Sequence, residues 1–303
     1  MIKDIAKSMG LLLITGALAV LVYRAEKNGC NVTAVLLSAV IGLSMEQFFY
    51  SIQDLADRNS WKKEQRKNER GHFIDKESLI RISFAYIFRI KVDGRYLLVM
   101  NNRHTGKYQP VGGVYKMNDS EKRFLASKYG CMDDNMITID DSSKNDYRLR
   151  VKNRYLRGFV KRFNKCQDRE KLDNLYREFK EELIDTKILS FDNFKKIRYE
   201  YVGRYYNGVK YTQHFNCYEM LLGDVVSLIP TDDQEEELRG LLRAGQNDKI
   251  SFFTDEQIVK LGVDVQYSTL EEIIADHAIN VLESKKDELD STFKRGKIYE
   301  IGF

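Results

Sequence analysis

The sequence predicts an α+β protein, a mixed sheet with flanking helices, preceded by an N-terminal two-helix transmembrane hairpin. Three observations lead there. Two uncharged apolar runs, "SMGLLLITGALAVLVY" and "NGCNVTAVLLSAVIGLSM", follow one another at 8–23 and 28–45. From Leu79 onward, strand-like stretches rich in β-branched and aromatic residues alternate with amphipathic ones. Finally, the chain has only 2 prolines, and one of them stands beside Gly112 and Gly113 in "KYQPVGGVYK".

Composition narrows the class. A hydrophobic fraction of 43% with 31% charge describes a folded chain rather than a disordered one. A net charge of +4 gives no reason to expect a DNA or RNA polymer as partner. Cys30, Cys131, Cys166 and Cys217 form no CxxC pair, and His72, His104, His214 and His277 are scattered. A disulfide framework and a zinc site are both unsupported, which suits a reducing compartment.

The two apolar runs are short but sufficient to span a bilayer, which takes about 20 apolar residues. The connecting "RAEKNG" is too small to be a domain, so residues 1–50 read as a helical hairpin. Two other readings stay open: a cleaved signal peptide, with "ALA" at 17–19 as its cleavage site, and a buried soluble hairpin. Arg58, Lys62, Lys63, Arg66, Lys67 and Arg70 follow the second run, against Arg24 and Lys27 between the runs. The positive-inside rule then puts both termini in the cytoplasm. Small residues such as Gly16, Ala17, Ala39 and Gly42 would let helices pack closely. Residues 51–78 form a basic juxtamembrane connector, either a solvated helix or a contact for anionic lipid headgroups.

Residues 79–303 form the cytosolic part. "LIRISFAYIFRIKV" and "RYLLVMNN" read as strands joined by a turn at Asp93-Gly94. "SEKRFLASKYG" reads as a helix, and 131–150 has no clear period. "REKLDNLYREFKEELID" gives the best helical pattern, through Leu172, Leu175, Tyr176, Phe179 and Leu183. A second hairpin, with its turn at Asn207-Gly208, is expected from "FKKIRYEYVGRYY" and "VKYTQHFNCYEMLL". "TDDQEEELRGLL" opens with a capping box at Thr231 and Gln234. A short strand and helix in "KISFFTDEQIVKLG" and a closing amphipathic helix in "TLEEIIADHAINVLESKKDEL" complete the series.

Chemistry concentrates in "REFKEE". On a helix Glu178 and Glu182 share a face with Glu181 beside them, a repulsion that a cation would relieve. Such carboxylates suit Mg²⁺ or Mn²⁺, and a solvated acidic face is the other reading. Gly112 and Gly113, with Arg103, His104 and Lys107 just upstream, could meet a phosphate. Tyr201, Arg204, Tyr206 and His214 of the second hairpin could supply flat and cationic side chains for a nucleotide, or could be core.

The order strand, hairpin, strand, Gly-Gly loop, then a helix carrying Arg-Glu-x-x-Glu-Glu resembles the Nudix family. Gly113 matches the first glycine of its signature, Asp119 falls where the first glutamate belongs, and Arg177, Glu178, Phe179, Glu181 and Glu182 match the Arg-Glu half. An insert at about 122–170 interrupts it, and Ile184 replaces the closing glycine. A lid, a dimer contact and a passive decoration are all open for that insert. Behind a two-helix anchor, the domain is similar to the SMODS-associated Nudix proteins, effectors found beside CD-NTases in cyclic-oligonucleotide antiphage (CBASS) signalling. That resemblance implies a Nudix-like fold and a two-pass bacterial inner-membrane protein. It also implies a cyclic oligonucleotide as ligand, a homo-oligomer in the lipid and abortive infection as outcome. It requires no cofactor. The alternative it implies is a membrane-tethered Nudix-type pyrophosphohydrolase, with Mg²⁺ on Glu178, Glu181 and Glu182.

Overall fold

The computed structural model describes residues 2–56, 61–101, 106–140, 143–263 and 271–302. The chain divides into two compact units, Met1–Phe73 and Ile74–Phe303. Arg58, one of the basic residues behind the orientation argument, lies outside the described residues.

The first unit is an antiparallel helical hairpin. Helices α1 (Ile2–Lys27) and α2 (Asn31–Ala56) pack along each other, and Ser8 and Ser51 join their open ends by a 2.6 Å hydroxyl hydrogen bond. Ile5–Lys27 and Asn31–Leu55 are long and apolar enough to cross a membrane. Leu13, Val32 and Leu36 are among the many large apolar side chains left uncovered, as expected of a hairpin whose solvent is lipid. Helix α3 (Trp61–Arg70) buries Trp61. It is tied to α2 by Arg66 donating to the Gln53 carbonyl at 2.6 Å and Arg70 donating to Asp54 at 3.0 Å.

The second unit is built on strand β1 (Leu79–Arg89), paired in parallel with β9 (Cys217–Leu228) along most of its length. β2 (Lys91–Val92) and β3 (Arg95–Met100) follow, joined by Asp93 and Gly94, both at positive φ as a tight hairpin requires. β4 (Tyr108–Gln109) and β5 (Gly112–Val114) flank the proline and lead to helix α4 (Asp119–Tyr129). β6 (Met132–Asp133), β7 (Arg148–Lys152) and helix α5 (Asn153–Lys165) complete the insert. α6 is one short turn, Arg177–Phe179, running into a π-helical turn at Lys180–Ile184. After α7 (Phe191–Phe194), β8 (Lys196–Thr212) pairs antiparallel with β9. α8 (Asp232–Ala244), β10 (Ile250–Phe253), α9 (Asp255–Val259) and β11 (Ile298–Gly302) close the order.

Two sheets result. The larger runs β11-β8-β9-β1-β7-β6, with β5 also on β1, and the smaller β10-β3-β2, with β4 on β3. Because only the β1–β9 pair is parallel among these ladders, the larger sheet is mixed. Alternation along β1 sends Phe84, Tyr86 and Phe88 to one side and Ile87 to the other. The first side is a ladder of rings: Phe84 meets Phe163 of α5 at 4.8 Å, and Phe88 meets Phe179 of α6 at 5.4 Å. On the second, Ile87, Val202 and Val225 pack with Tyr96, Leu98 and Phe253 of the smaller sheet and Ile274, Ala278 and Leu282 beyond it.

Several expectations are corrected. The stretch 170–185 is helical only from Arg177, because Leu172, Leu175 and Tyr176 reach the core from irregular chain. The second hairpin turns at 213–216, not at Asn207-Gly208, where a bulge lets the strand continue. The closing helix is instead two 3₁₀ turns, Asp276–Val281 and Glu283–Glu288, the first burying Ala278 and Val281. The capping box at Thr231 and Gln234 is present.

Candidate ligand-binding cleft

The glycine loop is held where no larger residue fits. β5 pairs with Ala85–Ile87 of β1, and Gly112 has φ 152°. A Cβ on Gly112 would lie 2.2 Å from the Tyr86 carbonyl oxygen, and one on Gly113 2.0 Å from Glu178 Oε1. Backbone thus meets backbone on one side and an acidic side chain on the other. The Gly112 N–H donates to Glu182 Oε2 at 2.9 Å, so this amide is directed to the helix.

Arg177 joins the parts. It donates to Glu170 through Nε and Nη2 at 3.2 and 3.3 Å, to the Val114 carbonyl at 2.9 Å, and to Glu178 through Nη1 at 2.5 Å. Glu170 also accepts from the Lys116 N–H at 3.1 Å and the Tyr86 hydroxyl at 3.4 Å. Asp119, which the signature places as the first acidic residue, accepts instead from Asn145 Nδ2 at 3.0 Å on the exposed start of α4. The acidic partner of Arg177 from outside its own helix is therefore Glu170, at the far end of the insert.

Arg177 and the glycine loop line a cleft of about 360 Å³. The glycine loop and Glu178, Glu181 and Glu182 form one wall, Tyr205 and Asn207 of β8 another, and His277 lies at its margin. The insert contributes Ser143, Asp146 and Arg148, so it is part of the cleft rather than a decoration. A second hollow of about 340 Å³ shares the three glutamates and adds Lys249. Burial raises the Glu178 carboxyl above the usual range, against the pull of Arg177. Burial likewise pushes Glu182 up to about 8, partly offset by the Gly112 N–H. Burial lowers His277, which favours the neutral imidazole.

The helix glutamates offer the hard oxygen donors that Mg²⁺ takes. Their arrangement does not hold them together for one: Arg177 engages Glu178, Gly112 engages Glu182, and Glu181 is exposed. Among the described residues, the set whose three donor atoms lie within 4.8 Å of one another is Glu121, Cys166 and Asp168. There Glu121 is already bound by Arg162 and by Tyr147. The donor types fit a divalent ion, and the present geometry does not.

The other sequence candidates are spread widely. Arg103 and His104 lie outside the described residues. Gly112 and Gly113 are in the cleft, whereas Lys107 pairs with Glu272 at 2.8 Å. Tyr201 and Arg204 are fully buried on Asp224, which accepts from Tyr201 at 3.2 Å and from Arg204 at 2.8 and 2.7 Å. Tyr206 lies on the same side, its ring 6.0 Å from the Arg204 guanidinium and its hydroxyl 3.3 Å from Thr292. His214 is exposed in the hairpin turn against Phe215. The shift between Tyr201 and Gly203 reverses the alternation, so Tyr205, not Tyr201 or Tyr206, reaches the cleft. Its ring lies over Gly223, where a Cβ would come within 2.1 Å of it. Sequence reasoning also missed Glu170, Lys116, Asp146, Arg148, Asn207 and His277. Only Glu170, near the expected distance before Arg177, left a signal.

A mixed sheet whose glycine loop meets an Arg-Glu-x-x-Glu-Glu helix on the wall of a cleft defines a Nudix-type domain. A family model described as the SMODS-associated NUDIX domain matches residues 79–282, and the chain belongs to that family. No curated protein and no solved structure matches it.

Proposed function

We propose that this chain is a two-pass inner-membrane effector of a bacterial antiphage system of the CBASS type, with both termini cytoplasmic. Its cytosolic cleft takes a cyclic oligonucleotide made by a CD-NTase. Binding gathers copies of the chain, and the crowded helix pairs breach the bilayer and kill the cell. The observation that carries this reading is one chain joining a SMODS-associated Nudix domain to two helices long and apolar enough to span a membrane. The cleft supports it: Tyr205 offers a flat face, and Lys116 and Arg148 offer cations, the two kinds of group a nucleotide needs. The test is binding of cyclic di- and trinucleotides to the full chain in nanodiscs, with the ligand analysed afterwards. Intact recovered ligand and larger assemblies support the effector.

A second reading is a membrane-tethered hydrolase, favoured by the three glutamates on the cleft wall. It predicts Mg²⁺-dependent turnover that Glu178→Gln with Glu182→Gln stops. Unchanged toxicity and binding in that double variant argue for recognition instead.

A further inference from the structure

We infer that Lys116 and Arg148 form an anion site in the cleft, and that the Asp146 carboxylate occupies it as a built-in substitute for a ligand phosphate. The inference rests on the effector reading for the ligand's identity, but the site is argued from its own geometry.

All three side chains line the cleft. Asp146 binds Lys116 Nζ through one carboxylate oxygen and faces Arg148 Nη1 at 3.8 Å through the other. The two cations come from separate segments, Lys116 just before the insert and Arg148 within it. Lys116 pairs with Asp146 in an isolated bridge, and its N–H is fixed on Glu170. Arg148 begins β7, opposite Ser83 of β1. Asp146 is only 9% exposed, whereas Lys116 and Arg148 are 24% and 25% exposed. The carboxylate therefore lies beneath two cations that the cleft can reach. Burial raises the Asp146 carboxyl, against the pull of Lys116, Arg148 and Arg177. This is the charge arrangement that a phosphate diester would complete, presented on a cavity wall rather than sealed in a core.

Two consequences follow. A ligand phosphate must compete with Asp146, whose carboxylate offsets part of the charge of Lys116 and Arg148, so the site discriminates against weak anions. Displacing Asp146 would also release the bend before it, where its N–H donates to the Ser143 carbonyl at 3.1 Å. Arrival of the phosphate is thereby linked to the insert.

The experiment uses the full chain in detergent micelles and sodium pyrophosphate as probe, with sodium chloride at matched ionic strength as control. Calorimetric titration compares the wild type with Asp146→Asn, Lys116→Met, Arg148→Met and Lys116→Met/Asp146→Asn. Asp146→Asn should bind pyrophosphate about tenfold tighter than the wild type, as expected for one charged hydrogen bond gained. Each cation variant should bind about tenfold more weakly, and the double variant should lose the gain. Equal binding by the wild type and Asp146→Asn overturns the inference. Should Asp146→Asn fail to fold, unchanged binding in both single cation variants overturns it instead. A second arm titrates a cyclic trinucleotide. If pyrophosphate tightens on Asp146→Asn but the cyclic trinucleotide, and a cyclic dinucleotide titrated beside it, bind neither protein, the anion site stands and the effector reading falls. If a cyclic nucleotide binds the wild type while Asp146→Asn alters neither affinity, the effector reading stands and the site falls.

Discussion

Met117 and Arg169 face each other across an antiparallel bridge that closes the base of the insert. Beside it, the Glu170 N–H donates to the Lys116 carbonyl at 2.8 Å and the Asn118 N–H to the Asp168 carbonyl at 2.9 Å. Lys116 and Glu170, 54 positions apart in sequence, are therefore neighbours. A signature broken along the chain is continuous in space, and Glu170 delivers the carboxylate that Arg177 needs. The junction is also welded to β1, since Tyr147 accepts from Phe84 at 3.0 Å and donates to Tyr115 at 2.8 Å.

The two loop glycines should respond unequally to a methyl group. Gly112→Ala sets a Cβ against the Tyr86 backbone, which cannot move aside. We expect a loss of about 3 kcal/mol in urea unfolding from strain and overpacking. Gly113→Ala meets the Glu178 side chain, which can turn away, so about 1 kcal/mol is expected.

Arg204 and Asp224 form an ion pair with both side chains fully buried. Arg204→Met leaves a buried carboxylate without its cation and should cost about 3–5 kcal/mol. Affinity for a nucleotide, measured on the folded fraction, should be unchanged. A selective loss of affinity with normal stability would instead return Arg204 to the ligand.

Tyr205→Ala should weaken ligand binding by about 1–3 kcal/mol, the range for one stacked base. Tyr206→Ala, on the opposite side of β8, should not. Titration calorimetry on the two variants reads the face directly.

The Glu182 carboxyl holds its proton up to about pH 8 in the folded chain, while an unfolded glutamate releases it near 4.5. Between those values the folded state binds more protons, so stability falls as pH rises. The contribution is fully present below pH 4.5 and lost through 8. Glu182→Gln should flatten that slope in thermal melts from pH 5 to 9.

What the sequence made legible depended on local signals. Apolar runs marked the two long N-terminal helices, Asp93-Gly94 marked a turn, and Thr231 with Gln234 marked a helix start, because each depends on neighbours in sequence. The Gly113 and Arg177 halves of the signature were visible for the same reason. Their junction was not, because the bridge at Met117 and Arg169 is a long-range pairing with no local pattern. The same holds for Tyr205: a bulge after Tyr201 exchanges the two sides of β8, and periodicity counted from either end assigns the wrong residues. Leu172, Leu175 and Tyr176 imitated a helix because buried irregular chain can place apolar residues at helical spacing.

The proposed effector role requires this Nudix domain to recognise a cyclic oligonucleotide. The most direct measurement is equilibrium binding of a cyclic di- and trinucleotide panel to the full chain in nanodiscs, followed by chromatography of the recovered ligand. At least one member should bind, be recovered intact, and lose affinity with Lys116→Met. No binding across the panel, or Mg²⁺-dependent cleavage abolished by Glu178→Gln, would contradict that role.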